Sequence, residues 1–395
     1  MNILEVVSTG YPGGGAQISV RTIKEELQRR GHVVSVLSSD QKGDGMFSDR
    51  QFRSVPADSR LKAFHHIFYF QSYFALRRAI KEFRPDVIHF HTIAACTPSV
   101  LFAIGKTPAV MTIHGPEEFT LELLPWFMEP KDYRTQPFDM DDLTMVGSLR
   151  YWYYRFLQRP VYRMGLRRVS LFIAPSKYIA HAVEKDVPPH KIRQVYNGIE
   201  LPAAKPPAGN QRILYIGRLE KVKGVRYLVR AFAEIAARLP DAELYIVGDG
   251  DDRASLEHLA KELGLGDRII FRGWIKSGPA IEREYEHASV VVIPSIWPEN
   301  LPTVCIEALA SGRAVIGTRT GGIPELIEDG KTGIVVPIKD ERALGAAIVR
   351  LLEDPPLLAS MGASAAESAQ RFNAVRFVDQ VENIYNHVRH ANSHR

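Results

Sequence analysis

Each half of this chain opens on the same pattern: an apolar strand, a glycine-bearing loop, a helix and a second strand. In the first half, residues 3–8 are apolar and run into Thr9-Gly10-Tyr11-Pro12-Gly13-Gly14-Gly15. A helix is expected over 16–30 and a strand over 31–37. In the second half, a strand over 212–216 meets the loop Gly217-Arg218-Leu219-Glu220-Lys221-Val222-Lys223-Gly224, then a helix over 225–239 and a strand over 243–247. Parallel strands cannot be joined by a hairpin, so strand–helix–strand alternation predicts parallel sheets wrapped by helices. Further strands are expected at 86–90, 109–113 and 171–174, and at 288–294 and 314–317. A chain of 395 residues is long for one core. Pro202-Ala203-Ala204-Lys205-Pro206-Pro207-Ala208-Gly209-Asn210 has linker composition. The expected fold is α/β: two doubly wound, Rossmann-like domains, 1–202 and 211–372, joined by a linker at 203–210 and facing each other across a cleft. A last helix is expected over 375–390.

Bulk properties narrow the setting. Apolar residues make up 45% and charged residues 24%, as in soluble globular proteins. No apolar run is long enough to span a bilayer, and the acid at Glu5 and the missing small-residue cleavage site argue against a signal peptide. Cys96 and Cys305 are too few for a disulfide framework or a zinc site, which fits a cytoplasmic home. The charge is uneven: residues 1–202 hold 26 Lys+Arg against 20 Asp+Glu, while the remainder holds 24 against 25. Residues 150–168 contain six arginines and no acid, so the first half is the one to meet an anionic surface.

The most informative stretch for chemistry is Ser295-Ile296-Trp297-Pro298-Glu299-Asn300-Leu301-Pro302-Thr303-Val304-Cys305-Ile306-Glu307. It follows an apolar, β-branched strand and leads into a helix expected over 301–310, with Pro302 at the first helical position. Glu299 then lies in the loop at the strand's C-terminal end, and Glu307 about two turns into the helix. The unpaired N–H groups and dipole of that helix favour a phosphate. One carboxylate could hold sugar hydroxyls and the other a ribose. Alone, the pair reads equally as a loop charge and a solvated helix charge.

Other residues have the right chemistry to join it. Gly13-Gly14-Gly15 would let a ligand approach the backbone, although the spacing is not that of a dinucleotide fingerprint, with Ile at position 18. Arg218 and Lys223 could neutralise a diphosphate leaving group, with Lys221 facing solvent. His114, placed by an apolar strand, could donate to a sugar hydroxyl or stabilise positive charge at a reacting carbon. His89 and His91 read as secondary or structural. Asp249-Gly250-Asp251-Asp252 looks like a metal site, yet acids after a strand are common as turn and cap residues. Gly248 and Gly250 read there as points of close nucleotide approach. Aromatic and basic residues interleave over 151–168 and 68–81, with Arg155, Arg159 and Arg163 at helical spacing and Pro160 restarting the helix. Such segments could lie on an anionic membrane surface or pack on the domain. No nucleic-acid motif accompanies them.

Taken in order, these motifs resemble glycosyltransferase family 4, retaining enzymes of the GT-B fold. The resemblance spans essentially the whole chain and is strongest over 213–337, through Gly217-Arg218 to Lys223-Gly224, Val247-Gly248-Asp249-Gly250, Phe271-Arg272-Gly273-Trp274, the two-glutamate segment and Gly321-Gly322-Ile323-Pro324-Glu325. It implies that Glu299 contacts the transferred sugar and Glu307 the donor ribose, with Arg218 and Lys223 on the diphosphate. Backbone groups of Asn300, Leu301 and Thr303 would touch sugar or phosphate, and Gly14 and Gly15 would close over the phosphates. His114 would approach the sugar, and Trp274 and Ile275 the base. A helix at 373–395 would cross back onto the first domain. Catalysis would need no metal and no cofactor: the departing phosphate would take the acceptor hydroxyl's proton. The implied donor is a nucleotide-diphosphate sugar, while the aromatic–basic segments over 150–168 and 68–81 point to a glycan or polyprenyl-linked acceptor in cell-surface polysaccharide assembly, with a peripheral place on the cytoplasmic face of a membrane. A soluble small-molecule acceptor is the alternative, and a non-catalytic nucleotide-sugar-binding protein a more distant one.

Overall fold

The computed structural model describes residues 1–11, 14–43, 45–54, 69–91, 93, 96–115, 152–276 and 278–393. Pro12 and Gly13, named above, and positions 68, 150 and 151 of the aromatic–basic segments lie outside them. The chain divides into two compact units. One begins at Met1, leaves off at Gly198 and resumes at Ala374; the other spans Ile199–Asn373.

The first unit is built on a seven-stranded sheet of β1 (Asn2–Val6), β2 (Val33–Ser39), β3 (Arg50–Phe52), β4 (Val87–Phe90), β5 (Ala109–Thr112), β6 (Leu171–Ala174) and β7 (Ile192–Gln194), in the order β3-β2-β1-β4-β5-β6-β7. Every pairing is parallel. The two-residue alternation of strands separates its faces. Leu4, Val6, Ile88, Phe90, Met111 and Phe172 pack on one side. Ile3, Val87, Val110, Leu171 and Ile173 pack on the other, against the last helix, Ala374–Ser393. That helix offers Phe377, Val378, Val381, Ile384, Tyr385 and Val388, a stripe at helical spacing. Arg30 fixes its start, donating to Asp379 at 2.7 Å and Glu382 at 2.9 Å.

The second unit holds a six-stranded parallel sheet: β8 (Arg212–Ile216), β9 (Glu243–Val247), β10 (Ile269–Gly273), β11 (Val290–Ile293), β12 (Ala314–Thr318) and β13 (Gly333–Val336), in the order β10-β9-β8-β11-β12-β13. The doubly wound α/β expectation holds in both units. Four strands that the pattern left unnamed, β3, β7, β10 and β13, are the four sheet edges. The helix expected over 301–310 begins later, as Thr303–Ala310, because Pro302 stays extended at ψ 114° and occupies the cap position. Glu307 is accordingly little more than one turn into it.

The proline-rich tract is strapped to the second unit. Arg313, at the start of β12, is fully buried, and its guanidinium donates to the carbonyls of Lys205 (2.9 Å), Pro206 (3.0 Å) and Ala288 (3.2 Å). Removing it strands those acceptors and opens a cavity. Arg313→Ala is expected to destabilise the second unit by about 3 kcal/mol, lowering the Tm of that unit's transition by roughly 6–12 °C. A thermal unfolding curve unchanged by the substitution would show that the clamp is dispensable.

Candidate functional site

In the second sheet the chain winds outward from β8 to β9 and β10 on one side and from β11 to β12 and β13 on the other. The loops after β8 and β11 therefore leave neighbouring strand ends in opposite directions, the place where doubly wound sheets bind ligands. Lys223 lies in the first loop and Glu299 in the second, and they meet: Nζ of Lys223 is 2.6 Å from Oε1 of Glu299. The same oxygen accepts from the Ser295 hydroxyl at 2.9 Å.

Backbone contacts hold this pair in place. The N–H groups of Ile296 and Trp297 donate to the Val222 carbonyl at 2.9 and 3.1 Å. Gly224 turns the first loop at φ +70°, and a Cβ there would collide with the Pro294 carbonyl. From β12, Gly322 N–H donates to the Glu299 carbonyl at 2.7 Å, and Gly321, at φ +53°, lies where a side chain would strike the Glu299 backbone. Three strand ends thus converge on one carboxylate. Lys223 and Glu299 side chains are 19% and 14% exposed, enough screening from water for their charges to matter.

Glu307 has a different environment. Its Oε2 accepts from the Tyr285 hydroxyl at 2.8 Å, a residue of the helix Pro279–His287. Burial pushes the Glu307 pKa up, and the Tyr285 hydrogen bond offsets this only in part. Asn300 and Thr303 are partly exposed beside the helix start, whereas the Leu301 side chain is buried, which leaves its backbone as the group a ligand could use. Gly248 is buried and its N–H is bonded to the Gly273 carbonyl at 2.8 Å; Gly250 is exposed. Trp274 is 68% exposed beyond the edge strand β10, next to a half-buried Ile275.

Arg218 is not gathered into the pair with Lys223. It extends into solvent and bonds Glu220 at 2.6 Å. Asp249 accepts from the Gly250 N–H at 2.8 Å and pairs with Arg253 at 3.1 Å, the pattern of a turn acid.

In the first unit, Gly14 is exposed at the cap of the helix Gly15–Arg29, and His114 lies just past β5, with Nε2 3.0 Å from Nδ1 of His91. The aromatic–basic segment forms a π-helical turn, Tyr154–Gln158, followed by the helix Arg159–Leu166 with Pro160 in its first turn. Arg155, Arg159 and Arg163 do not share one cationic face, because Arg159 is held by Asp186 at 2.8 Å. Trp152, stacked on Phe156 at 5.0 Å, is exposed with Leu157 and Met164. Beside them Arg163, Arg167, Lys185 and Lys191 line a cavity of about 370 Å³. In the second such segment Phe70 and Phe74 are exposed.

Sequence reasoning missed Tyr285 and Ser295. Ser295 had a signal, since it opens the loop after β11 that carries Glu299. Tyr285 had none, lying 22 positions from its partner.

The raised Glu307 pKa has a consequence for stability. The folded protein holds this proton more tightly than the unfolded chain, so ionisation opposes folding. That penalty is absent below about pH 4.5, the ordinary value, and grows as pH rises through the raised folded value. Glu307→Gln removes it. The variant is expected to melt above the parent near neutral pH and to converge with it in mild acid. A gap that instead widens on acidification contradicts this environment for Glu307.

Comparison with known proteins bears on both units. A family model described as glycosyltransferase family 4 matches residues 13–202, and one described as glycosyl transferases group 1 matches 200–368. The chain is 27% identical to N-acetyl-alpha-D-glucosaminyl L-malate synthase of Bacillus anthracis, over 97% of this chain and 96% of that one. It is 24% identical to phosphatidyl-myo-inositol mannosyltransferase of Mycolicibacterium smegmatis, over 94% and 90%. Among solved structures, the Anabaena protein Alr3699/HepE in complex with UDP superposes with a TM-score of 0.72 at 21% identity, covering 98% of this chain and 100% of that one. With two parallel sheets, a lysine–glutamate pair at a switch point and family models covering both units, this chain belongs to glycosyltransferase family 4 and is a glycosyltransferase of the GT-B fold.

Proposed function

We propose that this enzyme is a retaining hexosyltransferase that takes its sugar from a nucleotide-diphosphate donor and gives it to a glycan or polyprenyl-linked acceptor in cell-surface polysaccharide assembly. The observation that carries the donor reading is the Lys223–Glu299 contact at the β8/β11 switch point, with Glu307 in the helix that follows. A diphosphate arriving there draws Lys223 onto its own charge and releases the Glu299 oxygen for sugar hydroxyls. Arg218 joins it from the neighbouring position, its guanidinium in solvent and tied only to Glu220. Glu307 takes the ribose, and Trp274 and Ile275 the base. Asn300, Leu301 and Thr303 offer backbone groups, while Gly248 and Gly250 give room for the nucleotide. Gly14, Gly15 and His114 serve as substrate contacts of the first unit. The structural likeness to a protein bound to UDP supports a uridine donor.

Protein charge stabilises the leaving diphosphate, the bond to the anomeric carbon breaks toward an oxocarbenium-like state, and the departing phosphate accepts the acceptor hydroxyl's proton on the same face. We propose that no metal takes part, because Asp249 already has Arg253 as its counter-charge. Sugar transfer measured across UDP- and other nucleotide sugars tests the donor, with Lys223→Ala expected to lower kcat on the order of 10²–10³-fold. Activity is expected to persist in excess chelator. Unchanged turnover in Lys223→Ala removes that residue from the diphosphate site, and rescue by magnesium after chelation revives a metal role.

The acceptor divides two readings. The Bacillus anthracis protein's name gives it L-malate and the Mycolicibacterium smegmatis protein's name gives it phosphatidyl-myo-inositol, a soluble acid against a lipid. The exposed Trp152, Phe156, Leu157 and Met164 beside a basic cavity favour a lipid-linked acceptor and peripheral attachment to the cytoplasmic face of a membrane. Among the described residues no helix is long and apolar enough to cross one. Co-sedimentation with anionic vesicles is expected for the parent, and to fall about tenfold or more in a Trp152→Ser, Phe156→Ser double variant, which loses two exposed aromatic anchors. No vesicle binding by the parent returns the assignment to a soluble acceptor.

A further inference from the structure

The two glutamates of the candidate site are held by different kinds of partner. Glu299 is bonded to an ammonium, that of Lys223, at 2.6 Å and to the Ser295 hydroxyl at 2.9 Å. Glu307 has no such cation. Its Oε2 accepts from the Tyr285 phenol at 2.8 Å, while its Oε1 takes no hydrogen bond among the described residues and keeps contact with solvent. Tyr285 reaches it from the helix Pro279–His287 with its ring buried. The phenol has one hydrogen and two acceptors in range, the Val304 carbonyl at 3.4 Å and the carboxylate at 2.8 Å. The nearer acceptor, when ionised, is also the stronger one.

This partner is always a donor. Burial, then the charge of Glu307 and the bond to it, push the Tyr285 pKa well above the ordinary phenol value, so the hydrogen stays. Burial and that hydrogen bond are the two influences on the Glu307 proton. The other ionisable groups on the helix of Tyr285 are Glu282, Arg283, Glu284, Glu286 and His287, and none of them acts on it. Nor do Glu325 and Glu367, on the helices Ile323–Leu326 and Pro355–Ala369 that pack against Thr303–Ala310. Cys305, on the helix of Glu307, is a thiol that burial keeps neutral.

A ribose brings two hydroxyl donors and no charge. An ionised carboxylate offers about four lone-pair sites, of which the phenol fills one and leaves room on both oxygens for a vicinal diol. A protonated carboxyl would give one of those sites to its own hydrogen. A cation in place of the phenol would have no anion to move to when the ribose arrives, unlike Lys223, which a diphosphate can draw away. A neutral donor needs no such exchange. We propose that Tyr285 is a positioning residue for the nucleotide sugar: its hydroxyl keeps the Glu307 carboxylate ionised and turned so that both oxygens can receive the vicinal hydroxyls of a ribose. This rests on the reading that Glu307 takes the ribose.

The carboxyl signal of Glu307, in protein labelled with ¹³C-glutamate and assigned by its loss in Glu307→Gln, follows the proton without any ligand. Its midpoint is expected to lie higher in Tyr285→Phe than in the parent, since that change removes one oxygen and keeps the packing of the ring. Calorimetric titration with UDP-glucose, whose diphosphate has no proton to gain near neutral pH, reads the consequence. Binding by the parent is expected to strengthen as pH rises through the Glu307 midpoint, because the ionised form is the one that binds. Tyr285→Phe is expected to weaken binding about tenfold below that midpoint, with the gap closing at higher pH. Turnover is expected to show a raised donor KM with kcat within about twofold. A loss of affinity equal at every pH is that of a merely structural residue and overturns the positioning role. An unmoved midpoint in Tyr285→Phe, with binding by the parent intact, overturns Tyr285 alone. If the parent binds no nucleotide sugar at any pH, the ribose reading falls and this proposal with it.

Discussion

Parallel strands all end on the same edge of their sheet, and the rest of this molecule's chemistry depends on that constraint. Where the winding reverses, between β8 and β11, two adjacent strand ends release their loops without a helix to share. Lys223 and Glu299 are 76 residues apart in the chain and meet because of it. Neither is well hydrated, so each stabilises the other's charge, and removing one would leave the other poorly compensated. The pair is also replaceable: a phosphate can take the place of the carboxylate for the lysine, and a sugar hydroxyl the place of the ammonium for the glutamate. On the proposed function, a site that is neutral before its ligand arrives follows from topology as much as from residue type.

The carboxyl groups of Glu5, buried, and Glu307, half-buried, show how environment sets charge. Glu307 has one hydroxyl donor, and burial moves it toward its neutral form. Glu5 has His89 and His91 beside it, and the charge of His89 with hydrogen bonds from both rings outweighs a burial that is more complete. Nearby positive charge and bonds to the ionised form decide the outcome. Glu5 is therefore a fixed negative charge inside the first unit, and Glu307 one that a ligand's hydroxyls would help to ionise.

Much of this was legible in the sequence. Interior strands such as β8, β9 and β6 were placed residue for residue, because burial on both faces writes a continuous apolar run. Edge strands have one neighbour and no such requirement, and Arg50–Phe52 and Ile192–Gln194 are too short and too polar to stand out. The glutamate spacing and the loop cations were readable as candidates because topology alone puts strand-end loops together. Tyr285 was not readable, as nothing local to the helix Pro279–His287 announces a partner in Thr303–Ala310. Glu5 was visible as an acid in an apolar strand, yet it signified only a poor leader peptide until β4 set His89 beside it and the last helix supplied Tyr385. Helix starts carried a further error: Pro302 can cap a helix as well as open one, and ψ, which the sequence does not fix, chooses between them.

The first unit is discontinuous, closed by the helix Ala374–Ser393 after 175 residues, 199–373, have been made into the second. A ribosome emits the seven strands of the first sheet long before it emits the stripe from Phe377 to Val388 that covers one face of them. During that interval this face has only part of its cover, Ile23 and Leu27 of the helix Gly15–Arg29, and Glu5 lacks the Tyr385 hydroxyl. At roughly 5–20 residues per second the delay is on the order of ten seconds or more. The second unit, being continuous, can finish within it. The amino-terminal half, though first to appear, is therefore the one that gains the last piece of its core only after the other half has been made.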